Sequence, residues 1–121
     1  MAPFVRTICI DFDGVIHSYT SGWKGADVIA DPPVPGAAEW LNAMIESPDF
    51  EPVIYSSRSK EPGAVEAMRK YITDMGVDAN KLDFPTKKPA AFLTVDDRAV
   101  CFTGVFPSLL EMKTFKPWNK K

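Results

Sequence analysis

The segment Ile8-Cys9-Ile10-Asp11-Phe12-Asp13-Gly14-Val15 leads from an apolar run into two aspartates. Residues 5–10 are rich in β-branched side chains and almost continuously apolar, which is typical of a strand covered on both faces. The run ends abruptly at Asp11, and Asp13 follows two positions later. We therefore expect a buried strand with two carboxylates just beyond its carboxyl end.

Strand and helix patterns alternate along the chain. The predicted strands are residues 5–10, 53–55 and 92–95, with a marginal strand at 82–84 and an edge strand at 100–102. Helices are predicted from Pro35-Gly36 to Ser47-Pro48, from Pro62 to Gly76 and over 107–115. Trp40 lies on the apolar stripe of the first helix, so we expect it in the core. This order predicts an α/β fold, a Rossmann-like three-layer α/β/α arrangement around a central, mainly parallel sheet with helices on both faces.

Polar residues follow three of these strands at the point where each strand ends. They are Asp11 and Asp13, Ser56 and Arg58, and Asp96 and Asp97. In parallel α/β sheets, ligands bind beyond the carboxyl ends of the strands. We therefore expect these side chains, although distant in sequence, to converge on one edge of the sheet.

The composition is that of an ordinary globular domain, with 121 residues, 45% hydrophobic and 25% charged. One domain over residues 1–121 accounts for this length. The net charge of −2 argues against a broad surface for nucleic acid or acidic membranes, and no apolar run approaches the roughly 18 residues of a membrane span. Cys9 and Cys101 lie in apolar runs without metal-ligand spacing, so we expect buried free thiols and a reducing, cytoplasmic setting.

Four carboxylates that meet at one sheet edge repel one another. Two unit charges about 4 Å apart cost about 4 kcal/mol at an effective dielectric constant near 20. A proton or a cation must therefore neutralise the cluster, and hard oxygen ligands favour Mg²⁺. Such an ion would also bind a phosphoryl oxygen and leave Asp11 ionised and able to attack phosphorus.

Four short motifs resemble those of the haloacid dehalogenase (HAD) superfamily of phosphatases and phosphotransferases. In order they are Ile8-Cys9-Ile10-Asp11-Phe12-Asp13-Gly14-Val15, Val53-Ile54-Tyr55-Ser56, Lys88-Pro89 and Leu93-Thr94-Val95-Asp96-Asp97. They occur in the order of that family and span most of the chain. The chain resembles small, essentially capless members from bacteria and phages.

The resemblance implies a HAD-like fold, Mg²⁺-dependent phosphatase activity and an aspartyl-phosphate intermediate. Asp11 is then the expected nucleophile. Asp13 is expected to protonate the leaving oxygen, to deprotonate the attacking water and to bind Mg²⁺ through its backbone carbonyl. Ser56 is expected to hydrogen-bond the transferring phosphoryl group. Lys88 is expected to offset negative charge and is preferred to Lys87, because Lys-Pro is the commoner arrangement in the family.

The remaining site residues follow from the resemblance and from the loops. The metal ligands are expected to be Asp11, Asp13, Asp96 and Asp97, with Asp97 binding directly or through water. The expected substrate contacts are Gly14, Ser57, Arg58, Trp23 and Lys24. Gly14 suits the turn after the strand, where a side chain would crowd the phosphate. For Arg58 the alternative is a structural salt bridge, and for Trp23 it is ordinary aromatic packing.

Residues 17–35 replace the large cap domain that many relatives carry. They are rich in Ser, Gly, Asp and Pro, and they are long enough only for a flap with a short hairpin. Trp23 and Lys24 stand between two glycines, as in a mobile covering loop. His17, the sole histidine, is expected to be a flap or surface residue, because Asp13 already fills the proton-transfer role. The lysines near the end of the sequence are expected to form a solvated tail: Lys113, Lys116, Lys120 and Lys121.

Several functions are compatible with these patterns. The leading hypothesis is hydrolysis of a small phosphorylated substrate, with a nucleotide or a phosphorylated nucleic-acid end as options for an open site. A phosphorelay receiver domain is disfavoured, because receivers carry their acidic pair on the first strand and their nucleophile later. The alternative of a different class is a non-catalytic HAD-fold module that binds a phospholigand or partner. Degenerate modules would be expected to lose Asp11 or Asp13, and both are present.

Overall fold

The computed structural model describes residues 4–120 and contains a three-stranded parallel sheet. Its strands are β1 (Arg6–Ile10), β2 (Phe50–Ile54) and β3 (Leu93–Val95), in the order β2-β1-β3. The register aligns Ile10 with Ile54 on one side and with Val95 on the other. All three strands therefore end at the same level, and the residues that follow them share one edge.

Glycine and serine residues lie at several of the helix ends. They are α1 (Ala37–Glu46), α2 (Ala64–Asp74), a short 3₁₀ helix (Ala79–Lys81) and α3 (Leu109–Lys113). Gly36 and Gly63 precede α1 and α2 in the left-handed conformation, and Gly76 adopts the same conformation just after α2. The Ser108 hydroxyl caps α3 by accepting a hydrogen bond from the Glu111 N–H. The predicted helices are therefore confirmed, with shorter bounds.

The core lies on one face of the sheet. Ile8 and Ile10 alternate with Cys9 along β1, and both isoleucines belong to a buried cluster with Leu41 of α1 and Met68 of α2. Both longer helices therefore cover the same face. We expected helices on both faces of the sheet, but α1 and α2 do not provide this. Residues 82–92 lead the chain from the β2 side of β1 to β3 on its other side, and this described segment contains no helix.

Other sequence-based expectations differ from the structure in detail. Trp40 is 38% exposed and not in the core, because Leu41 and Met44 of α1 point inward instead. Within the described chain, residues 100–102 form no strand, and residues 82–84 contribute a single bridge between Asp83 and Val53. Both cysteines are free, and Cys9 is buried, but Cys101 is exposed.

The segment 17–35, predicted to be a flap, contains a short hairpin-like closure. An isolated antiparallel bridge joins His17 to Pro33, and the Ser18 N–H donates a 3.0 Å hydrogen bond to the carbonyl of Pro32. Of the predicted tail lysines, Lys121 lies outside the described residues, whereas Lys120 is exposed. Across residues 4–120, no helix has the length and apolar character needed to cross a membrane.

Candidate active site

Three aspartates meet at the carboxyl edge of the sheet. Asp11 follows β1, and Asp96 and Asp97 follow β3. One carboxylate oxygen of each residue lies within 4.8 Å of the corresponding oxygens of the other two. The Asp11 N–H donates a 2.9 Å hydrogen bond to the carbonyl of Val95, which ties the two strand ends together. The predicted convergence of these residues is therefore present, and this cluster could hold a metal ion.

The environment of Asp11 disfavours its negative charge. Burial is the largest cause, followed by a hydrogen bond with Asp97 and by the charges of Asp96 and Asp97, and together they raise the pKa of Asp11 to about 8. The Phe12 N–H, 2.9 Å from Asp11 Oδ1, offsets this only in part. A cation among the three carboxylates would remove the penalty, and their hard oxygen atoms suit Mg²⁺.

Gly14 lies directly against this cluster. Its φ of 88° is in the left-handed region, where side chains are strained. A Cβ atom at this position would collide with the carboxylate of Asp97. Glycine is therefore needed here for two reasons, the turn and the close approach of Asp97.

Asp13 lies outside the three-carboxylate group. Its Oδ1 and Oδ2 atoms accept 2.9 Å hydrogen bonds from Nη2 and Nε of Arg58, and Oδ1 also lies 2.8 Å from Nδ1 of His17. The side chain of Asp13, a residue that was expected among the metal ligands, therefore contacts Arg58 and His17 instead. Its backbone carbonyl was the atom expected to bind the ion.

Arg58 and His17 are both buried, each with 1% of its surface exposed. Arg58 reaches Asp13 and three backbone carbonyls of the flap, so its donors are directed to protein groups and away from an open substrate position. The structural salt bridge is the reading that this geometry favours for Arg58. His17 was expected to be a flap or surface residue; it lies at the start of the segment 17–35, but it is buried in contact with Asp13, so the surface alternative is wrong.

Two cavities adjoin at Asp11. The first, of about 280 Å³, is lined by Cys9, Asp11, Tyr55, Ser56, Ser57, Lys88, Thr94, Asp96 and Arg98. The second, of about 330 Å³, is lined by Asp11, Asp13, Tyr19, Trp23, Ser56, Ser57, Asp97 and Arg98. Asp11, Ser56, Ser57 and Arg98 belong to both. Acidic, hydroxyl and basic side chains thus line two neighbouring cavities.

No protein-family model, curated protein or solved structure matches this chain. The functional interpretation consequently depends on the geometry of the two cavities. That geometry joins a carboxylate cluster to hydroxyl and cationic side chains, which is a combination suited to an anionic ligand held beside a metal ion.

Ser56 lies at the boundary of the two cavities. It is buried, and its Oγ accepts a 3.3 Å hydrogen bond from the Arg58 N–H. Its own N–H donates to Oγ of Ser59 at 3.0 Å. These bonds fix the turn after β2, so the Ser56 hydroxyl is held in place beside Asp11.

The lysine alternatives are separated by the cavity lining. Among the described residues, Lys88 lines the first cavity, whereas Lys87 and Lys24 line neither. Burial raises the pKa of the Cys9 thiol, and the nearby charge of Lys88 partly offsets this rise. The structure therefore brings Lys88 to the site, as expected, and leaves Lys24 outside it.

Besides the lining residues Cys9, Tyr55 and Thr94, four further residues around the site were not among the predicted site residues. Arg98 lines both cavities, and its backbone N–H donates a 2.8 Å hydrogen bond to Asp96 Oδ1. Tyr19 lines the second cavity with a positive φ of 59°. Trp118 and Asn119 donate to the backbone carbonyls of Gly14 and Ser18, at 2.6 and 2.8 Å. Only Arg98 had a sequence signal, its place beside Asp97.

Proposed function

We propose that this protein is a Mg²⁺-dependent phosphohydrolase of the HAD type, with Asp11 as nucleophile. The observation that carries the proposal is the meeting of Asp11 with the carboxylates of Asp96 and Asp97. Ser56 and Lys88 line the cavity beside this cluster and supply a hydroxyl and a positive charge. A phosphate monoester is the substrate class that needs all of these groups together.

Asp11 and Asp13 divide the chemistry between them. A carboxylate oxygen of Asp11 attacks phosphorus, the bond to the leaving oxygen breaks, and Asp13, which enters this step protonated, gives that oxygen its proton. Asp13 then takes a proton from water, which attacks phosphorus and displaces Asp11, so that phosphate is released. Asp11, Asp96 and Asp97 would hold Mg²⁺, which would supply positive charge to keep Asp11 ionised and to neutralise the phosphoryl oxygens.

Ser56 and Lys88 stabilise the phosphoryl group during both steps. The buried Ser56 donates its hydroxyl proton to a phosphoryl oxygen, because its backbone neighbours already hold the turn in place. Lys88 offsets negative charge on the phosphate and on Asp11. The cavities admit a small phosphorylated molecule, with a nucleotide or nucleic-acid phosphate end as further options, and the two free thiols fit a reducing cytoplasm.

The experiment is phosphate release from a generic aryl phosphate with and without Mg²⁺. We expect release that requires Mg²⁺ and is lost in Asp11→Asn, because the amide is not a nucleophile. Asp49→Asn, at an exposed position before β2, is the matched control and retains activity. Turnover that survives in Asp11→Asn would overturn the assigned nucleophile. Rates on mononucleotides and on 3′- or 5′-phosphorylated oligonucleotides then compare the substrate classes.

The second candidate is a non-catalytic module that binds a phospholigand or a partner. The observation in its favour is that both oxygens of Asp13 already accept hydrogen bonds from basic side chains. Calorimetry with a panel of phosphorylated ligands distinguishes the two. Tight binding without turnover of any ligand supports the module, and Mg²⁺-dependent turnover supports the enzyme.

A further inference from the structure

Arg58 connects the acid/base residue of the proposed reaction to the flap, defined as residues 17–35. Its side chain is fully buried. Nε and Nη2 bind the two oxygens of Asp13 at 2.9 Å each. Nη1 binds the carbonyls of the flap at distances of 3.1–3.3 Å, in the residues Gly25, Ala26 and Val28. One guanidinium group therefore holds both a carboxylate and a loop.

Aromatic rings pack against the same guanidinium group. Its carbon lies 4.8 Å from the ring centroid of Trp23 in the flap and 5.9 Å from that of Phe12, the residue after Asp11. A buried cation depends on its partners, so the loss of either Asp13 or the flap carbonyls leaves the charge poorly compensated. The Asp13 and flap contacts of Arg58 are therefore coupled.

His17 also holds Asp13, at the Oδ1 atom that Arg58 Nη2 contacts. Its Nε2 accepts a 3.1 Å hydrogen bond from the backbone N–H of Asp31, which requires a lone pair on that nitrogen. The proton of the neutral ring is then on Nδ1, where it is donated to Asp13 Oδ1 at 2.8 Å. The histidine thus also joins Asp13 to the flap, through Asp31.

A third contact fastens the flap to the body of the protein. The Tyr71 hydroxyl on α2 donates a 2.9 Å hydrogen bond to the carbonyl of Asp31. Ser21 also donates to the carboxylate of Asp31 from both its N–H and its hydroxyl. Asp31 is therefore a fixed point within the flap, and His17 is anchored to it.

We propose that Arg58 and His17 form a clamp that fastens the flap to the body of the protein and orients Asp13 for proton transfer. They are positioning residues, and the flap is a fixed wall of the site in place of a mobile lid. The part that concerns proton transfer rests on the proposed phosphohydrolase function. The part that concerns the flap does not, so the two are tested separately.

Trypsin cleavage after Lys24 measures release of the flap without any activity assay. Lys24 is exposed in the flap, and Lys70 on α2 is the reference site for global unfolding. We expect Arg58→Lys to increase cleavage at Lys24 by on the order of tenfold relative to Lys70, because lysine loses the forked contacts. Arg69→Lys is the matched control, since Arg69 also bonds a side chain and packs on a ring. Unchanged cleavage, or an equal increase at both sites, overturns the clamp.

Two substitutions of His17 separate orientation of Asp13 from anchoring of the flap. His17→Asn retains a donor near the position of Nδ1, whereas His17→Gln extends towards the position of Nε2. We expect kcat to fall on the order of tenfold or more in His17→Gln, with KM little changed. In His17→Asn we expect most of kcat to be retained, while trypsin cleaves after Lys24 faster than in wild type. Equal kcat in both variants and wild type overturns the positioning role. If wild type lacks phosphatase activity, the proposed function fails while the cleavage experiment still tests the flap.

Discussion

The indole Nε1 of Trp118 donates a 2.6 Å hydrogen bond to the carbonyl oxygen of Gly14, across 104 positions of the sequence. Asn119 adds a 2.8 Å bond to the carbonyl of Ser18. The segment expected to be a solvated tail thus holds the turn that follows Asp11. The shape of that turn depends on residues far from it in sequence.

Trp118→Phe should destabilise the protein and lower kcat. The change retains an aromatic ring but removes the N–H that satisfies Gly14, which costs about 1 kcal/mol of unfolding free energy. Urea denaturation and phosphatase assays measure the two effects. Trp40→Phe, at a partly exposed position of α1, is the control and should change activity little. Equal effects of the two substitutions would contradict a specific role for Trp118.

The metal-free protein should lose stability as the pH rises from about 4 to about 8. The pKa of Asp11 is raised from 3.8 to about 8 in the folded state, so the folded protein keeps a proton that the unfolded chain releases. Each retained proton lowers the unfolding free energy by up to about 1.4 kcal/mol per pH unit. The contribution of Asp11 is thus fully present below pH 3.8 and is lost as the pH passes 8.

Asp11→Asn tests this assignment, because it removes the titrating group and keeps its shape. In EDTA, the variant should be more stable than wild type at pH 8, and the difference should shrink towards pH 4. Thermal unfolding between these pH values is the measurement, with Asp49→Asn as the matched control. A variant that is less stable than wild type at pH 8 contradicts the raised pKa.

Mg²⁺ should stabilise the folded protein through the three-carboxylate cluster. A ligand that binds only the folded state adds about 2.7 kcal/mol at one hundred times its dissociation constant. We expect Tm to rise with Mg²⁺ in wild type and to rise much less in Asp96→Asn or Asp97→Asn. Asp78→Asn, at the cap of the 3₁₀ helix, is the control. An identical Mg²⁺ response in all variants would place the ion elsewhere.

Gly14→Ala should abolish activity, because the added methyl group collides with Asp97 and the φ of 88° is strained for alanine. The strain alone costs about 1–2 kcal/mol. Gly104→Ala separates the two causes, since Gly104 has a φ of 100° and no described atom lies within 4 Å of the new Cβ. Activity and Mg²⁺ affinity should survive in Gly104→Ala. Their survival in Gly14→Ala would mean that Asp97 can move without loss.

Lys88→Ala should lower kcat by on the order of a hundredfold, because it removes a charge aimed at the developing transition state. Lys87→Ala is a neighbouring control that removes the same charge from a side chain outside both cavities. Steady-state rates with a saturating aryl phosphate compare them. A larger loss in Lys87→Ala would exchange the roles of the two lysines.

The carboxyl-edge arrangement was predictable because it follows from backbone rules. Apolar runs that end in Asp11, Ser56 and Asp96 need only a parallel register to meet, and the register aligns Ile10 with Ile54 and Val95. Strand pairing alone brings Asp11 to Asp96 and Asp97. Lys88 was a choice between adjacent residues, and the cavity lining agrees with the preference stated from its Lys-Pro context.

The contacts made by side chains across the fold were not predictable in the same way. His17 has no apolar pattern around it that marks it as buried, and its partners Asp13 and Asp31 are identified only once the flap has closed. The burial of Arg58 depends on carbonyls supplied by a loop that lies 30–33 positions away in the sequence. Trp40 was predicted to be buried because it lies on the apolar stripe of α1, yet it is 38% exposed. Helical periodicity identifies such a stripe but does not show how much of it the neighbouring elements cover.

The central position of β1 has a consequence for how the protein is made. Asp11 leaves the ribosome long before its partners: at about 5–20 residues per second, Asp96 is synthesised roughly 4–17 s later. During that interval β1 has β2 to pair with, but no β3. The cluster of Asp11, Asp96 and Asp97 is therefore assembled only after the last strand of the sheet has been synthesised.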